Sequence, residues 1–175
     1  MAYELIAAIK GTKEGIGLVS EVLRIIKELP KSDKNPDLRT LLDELKQAAR
    51  NSIRTLDFAI KDIRDMLVSQ DLPSERSLAV LISNTSWYRW PSKFRLSRLN
   101  KAVRNLEDDI HTLMGDVTAL LICSGQMEGA GKAYATGFQT GLKILDSAPL
   151  AMPLGDLLAH FKNQVGELEV QVEDL

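Results

Sequence analysis

Aromatic residues make up only 5% of this 175-residue chain, and cysteine occurs once, as Cys123. A lone cysteine excludes an internal disulfide, and nothing at the N-terminus reads as a secretory leader. Both point to a reducing, cytoplasmic setting. The shortage of aromatics leaves the core to Leu, Ile, Val and Ala, which suits helices packed on helices. No apolar run is long enough to span a bilayer, which excludes an integral membrane helix and leaves peripheral attachment open. Histidine is scarce too: His111 and His160 are far apart, with no His-x-x-x-His or paired-cysteine spacing, so no metal site is expected. His111 falls on a polar helix face and reads as solvated. Cys123 reads as a small buried apolar residue rather than a nucleophile.

Catalytic patterns are missing as well. Gly129-Ala130-Gly131-Lys132-Ala133 fails as a phosphate loop, because Gln126 stands where its first glycine should be and Ala133 replaces the Ser or Thr. The acidic pairs Asp108–Asp109 and Glu173–Asp174 point about 100° apart on a helix and converge on nothing, so they read as surface charges. The Glu-x-x-His of di-iron bundles is absent. The sequence predicts neither an enzyme nor a cofactor.

What is present is a helical pattern. Hydrophobic residues are 45% and charged ones 26%, ordinary for one globular domain spanning 1–175. Apolar residues recur at spacings of three and four. A first helix, about Ala2 to Leu29, has the seam Leu5, Ile9, Thr12, Ile16, Val19, Leu23 and Ile26, with a second row at Leu18, Val22, Ile25 and Leu29. Gly11 and Gly15 in its middle suggest a close crossing or a kink. A second helix starts at Pro36, capped by Asn35, and runs to about Gln70 through Leu38, Leu42, Leu45, Ala49, Leu56, Ile60, Ile63 and Leu67. Ser74 caps a short third segment, about Glu75 to Ile82, and 84–91 reads as a loop. A fourth helix, about Ser92 to Cys123, follows Leu96, Leu99, Val103, Leu106, Ile110, Leu113, Val117 and Leu120.

Residues 1–123 thus form a core bundle, with 124–175 adding a glycine-spaced helix, a kinked connection and an amphipathic helix. Gly125, Gly129, Ala133, Gly137 and Gly141 recur every fourth residue, and Pro149 and Pro153 bracket the connection. The last helix buries Leu154, Leu158, Phe161, Val165, Leu168 and Val172. Its acidic end opposes the helix dipole and is expected to fray. The expected architecture is all-α: an up-and-down bundle of four main helices with one or two further C-terminal helices.

Charge is distributed unevenly. The chain carries a net −2, yet from Arg76 to Leu106 it has no acid and seven of its 22 Lys and Arg. Inside that window, Ser86-Trp87-Tyr88-Arg89-Trp90-Pro91-Ser92-Lys93-Phe94-Arg95 holds both tryptophans. Arg98, Lys101 and Arg104 fall opposite the apolar seam, with Lys93 nearby and Arg95 at its border. Cations in the first turns of a helix also oppose its dipole. One reading pairs them with acids of a neighbouring helix, such as Glu44, Asp57, Asp62 or Asp65. The other makes Arg89, Lys93, Arg95, Arg98, Lys101 and Arg104 an anion-binding surface, with Trp87, Tyr88 and Trp90 as interfacial aromatics on an anionic membrane. Trp90, followed by Pro91, reads more simply as a plug for the open end of the bundle.

The stretch Tyr88-Arg89-Trp90-Pro91-Ser92-Lys93-Phe94, with the Leu-rich helix after it, resembles the HeLo-like N-terminal helical bundles of fungal cell-death and NACHT proteins. These are related in architecture to the four-helix executioner domain of the mixed-lineage kinase-like necroptosis protein. The glycine-bearing first helix and Leu41-Leu42-Asp43-Glu44-Leu45 are similar too. The likeness covers 1–123, lacks a Phe directly after Pro91, and does not extend to the glycine-spaced region. It implies an interaction or signalling domain that binds or perforates membranes when oligomerised, with the first helix as the inserting element. Two other functions compete: a helical adaptor that self-associates or docks another helical protein without lipid, and nucleic-acid binding. The negative net charge and the lack of a recognition motif weigh against the latter.

Overall fold

The computed structural model describes residues 2–28, 36–69, 74–77, 79–80, 93–123 and 151–175. Among them are four long helices: α1 (Ala2–Glu28), α2 (Pro36–Ser69), α3 (Lys93–Cys123) and α4 (Leu154–Glu173). An isolated bridge between Ser77 and Pro153 is their only β-type pairing. The chain is therefore an all-α helical bundle.

The heptad-like seams become the core. Every member of the first seam of α1 is buried, Thr12 included, whose hydroxyl donates to the Ala8 carbonyl at 2.7 Å. Leu45, Ala49, Leu56, Ile60, Ile63 and Leu67 of α2 meet Leu99, Leu106, Leu113, Val117 and Leu120 of α3 in one hydrophobic cluster. The α4 seam joins the same cluster through Leu154, Leu158, Phe161, Val165, Leu168 and Val172. The C-terminal helix is thus part of the core, not an appendage to it.

A few side chains fix direction and register. Thr55 donates to Asp109 and Arg98 to Asp62, so α2 and α3 run antiparallel. Gly11 lies against Leu106, while Leu18, Val22 and Ile25 line a shallow groove with Met114 and Val117, so α1 and α3 run parallel. Gly155 sits beside Ser74, and Lys46 donates to the Leu175 carbonyl at 3.1 Å, so α4 opposes α2. Three helices therefore share one direction and α2 runs against them. The α1–α2 pair touches both others, and α3 and α4 occupy opposite flanks of it.

Two local expectations are corrected. The short helix expected from Glu75 begins instead as a turn, with only Ala79 and Val80 helical among the described residues. The backbone here is used to receive α4: the Ser74 carbonyl accepts from Gly155 N at 2.8 Å, and the Arg76 carbonyl from Leu154 N at 3.0 Å. The expected fraying of α4 is not seen. It stays helical through Glu173, where Asp174 N donates to the Val170 carbonyl at 3.1 Å and Lys46 places a cation at the negative end of the dipole. The glycine-spaced helix and Pro149 lie outside the described residues.

Candidate functional site

Charge is segregated along α3. Its N-terminal half holds Lys93, Arg95, Arg98, Lys101 and Arg104 without an acid, and from Glu107 to Cys123 it holds acids without a Lys or Arg. Because α3 starts at Lys93, the dipole argument applies to Lys93 and Arg95 in the first turn. Lys101 and Arg104 sit further along, where that field has faded, so the dipole does not oppose them.

The structure divides the predicted anion-binding residues. Arg98 does pair internally, donating to Asp62; its side chain stays 48% exposed while Asp62 is 16% exposed. One of the carboxylates expected as a mate is thus a real one. Lys101 and Arg104 are exposed and take part in no ion pair among the described residues. They project outward, as the surface reading requires. Lys93 and Arg95 belong to the α3 backbone, but their side chains lie outside the described residues, as do Arg89, Trp87, Tyr88 and Trp90 entirely. Arg76, the first cation of the window, is half-buried beside the α4 start.

The acidic half of α3 faces other carboxylates. Burial raises the Glu14 carboxyl, and Glu107 across the α1–α3 contact pushes the same way while Lys10 opposes. Burial raises Asp116 too, with Glu44 of α2 adding to it. Asp109, read from the sequence as a surface charge, is instead half-buried and accepts the Thr55 hydroxyl. Asp108 is exposed, as expected. Ser52 leaves its hydroxyl oxygen buried and without a hydrogen-bond partner.

Cys123 is exposed, contrary to the expectation of burial. It occupies the last position of α3, about 100° from the seam, where no neighbouring helix among those described covers it. His111 is exposed on the polar face as predicted. Among the described residues no three His, Cys, Asp or Glu converge to hold a metal ion, and no helix is long and apolar enough to cross a membrane.

One feature escaped the sequence reading. Phe58 of α2 is 65% exposed, between exposed Arg54 one turn before and exposed Lys61 in the turn after. The signal was available: Phe58 lies two residues from both Leu56 and Ile60, so the helical period turns it away from the seam they define.

No known family model matches the chain, and no curated protein or solved structure is similar enough to match it. The HeLo-like resemblance therefore stands on the quoted residues alone.

Proposed function

We propose that the protein is a non-enzymatic interaction or signalling module that engages anionic membranes through the corner led by the N-terminal half of α3. The observation that supports this most is the pair Lys101 and Arg104, exposed and without carboxylate mates among the described residues. They lie in a stretch that carries no acid in an otherwise acidic chain. Core packing does not require them there, and no helix-dipole benefit accounts for them. A diffuse anionic surface suits such charges, because each near-surface cation adds about 1 kcal/mol on anionic lipid. Arg98 remains half-exposed beside them and extends the charge even while bonded to Asp62. The basic and aromatic residues 87–95 precede this corner directly in the chain, and Trp and Tyr beside Arg and Lys suit the headgroup layer. The HeLo-like resemblance points the same way, toward a cell-death or defence effector domain.

Vesicle flotation at low salt tests this reading. The protein is expected to float with phosphatidylserine vesicles and to stay behind with phosphatidylcholine alone. Lys101→Glu with Arg104→Glu is expected to lower binding by roughly 30-fold or more, from about 1 kcal/mol for each cation lost. Equal binding to both lipids, or binding untouched by the double reversal, removes the proposal.

A further inference from the structure

Phe58 is the largest apolar side chain among the exposed hydrophobics of the described surface. Neither packing nor helix propensity accounts for a phenylalanine in water at this position. Single exposed hydrophobics are common, so its surroundings decide whether it matters.

Those surroundings are set by the register of α2 and α3. The Thr55–Asp109 and Asp62–Arg98 bonds tie the two helices on either side of Phe58. The antiparallel run between the ties brings Phe58 level with the stretch from Lys101 to Asn105. On α3 the helical period turns Lys101 toward the α2 side and Arg104 outward. Arg54, Lys61, Lys101 and Arg104 are all exposed. Acids border the patch as well. Asp62 is held by Arg98, and exposed Asp57 lies between Arg54 and Lys61 toward the α4 flank. Exposed Asp108 lies one turn from Arg104, and Arg54 shares a groove with Glu169 and Glu173 of α4.

Val170 supplies the contrast. It is also exposed, at 60%, but it sits on α4 among Glu167, Glu169, Glu173 and Asp174, with Glu169 and Glu173 lining a groove shared with Arg50 and Arg54 of α2. An apolar side chain whose own helix turn carries carboxylates is repelled from an anionic bilayer, whereas one flanked by Arg54, Lys61, Lys101 and Arg104 is drawn to it. A second copy of this chain offering the same patch would set cations against cations, which disfavours a symmetric dimer here.

We infer that the α2–α3 face is the face of the bundle that lies on an anionic bilayer. Phe58 enters the boundary between headgroups and acyl chains, and Arg54, Lys61, Lys101 and Arg104 rest on the phosphates around it. This rests on the membrane reading above and adds to it the docking face and the side chain that inserts.

The test places an environment-sensitive NBD label on Phe58→Cys in a Cys123→Ser background, with Val170→Cys labelled as the control. On mixed phosphatidylserine–phosphatidylcholine vesicles at low salt, the label at 58 is expected to brighten, shift to the blue and resist aqueous iodide, while the label at 170 stays unchanged. Unlabelled Phe58→Ala is expected to lose about tenfold in vesicle binding with its thermal melt unaltered, and Phe58→Leu to keep most of the binding. If the unlabelled wild type floats but the label at 58 remains in water, this inference fails and the membrane reading stands. If the wild type does not float, both fail. A blue shift that follows protein concentration without vesicles overturns the inference in favour of a second copy.

Discussion

Gly11 and Gly15 sit one turn apart on α1 and meet different neighbours. A Cβ on Gly11 would come to 3.8 Å from Leu106 Cδ1, an ordinary contact. One on Gly15 would come to 2.8 Å from Leu56 Cδ2, and Leu56 is fully buried. Gly11→Ala is therefore expected to stabilise by about 0.5–1 kcal/mol through helix propensity. Gly15→Ala is expected to destabilise by about 1–2 kcal/mol through overpacking, propensity notwithstanding. Urea unfolding of the two variants checks the opposite signs. Glu14 and Asp116 give a pH dependence. Both carboxyls are raised by burial, with Glu107 and Glu44 adding, so in the window just above the usual carboxylate values the folded state binds more protons than the unfolded. Stability therefore falls as pH rises through that window. Glu14→Gln with Asp116→Asn is expected to raise stability at neutral pH by no more than about 1 kcal/mol after solvent screening, seen as a slightly higher melting temperature. It is also expected to flatten the acid-side slope in melts taken across mildly acidic pH.

At the scale of the helix, α4 is held mainly by what it buries, since Pro153 offers no side-chain hydrogen bond at its start. Phe161 is its largest buried side chain, 1% exposed. Phe161→Ala is expected to cost about 3–5 kcal/mol, measured by denaturant midpoint. Loss of less than about 1 kcal/mol would mean that α4 is not integral to the core. The helices themselves were legible because burial imposes the three-and-four spacing on the sequence: Leu5 through Ile26 and Leu154 through Val172 read directly as buried seams. Departures arose where tertiary hydrogen bonding outweighed local preference. Ser74 looked like a helix cap, but its carbonyl is taken by Gly155 N. The α4 terminus looked frayed by its acids, but Lys46, 129 residues away in sequence, meets the Leu175 carbonyl. No single-helix pattern contains that partner.

At the scale of the whole molecule, the candidate surface was legible in part. The acid-free window was visible as composition, and an Asp62 mate for an arginine in it was foreseeable. That the mate belongs to Arg98, leaving Lys101 and Arg104 outside, depends on the register of α2 against α3. Phe58 enters the same surface only through that register, so sequence alone could not join it to the cations of α3. The arrangement of the flanks has a separate consequence. With α3 and α4 on opposite sides of the α1–α2 pair, peeling one away bares only one side of the hairpin and leaves the other clad. Amide exchange should then sort into two independent protection classes, one per outer helix, above a slower class for the central hairpin. The α3 flank is then expected to open without uncovering the α4 flank.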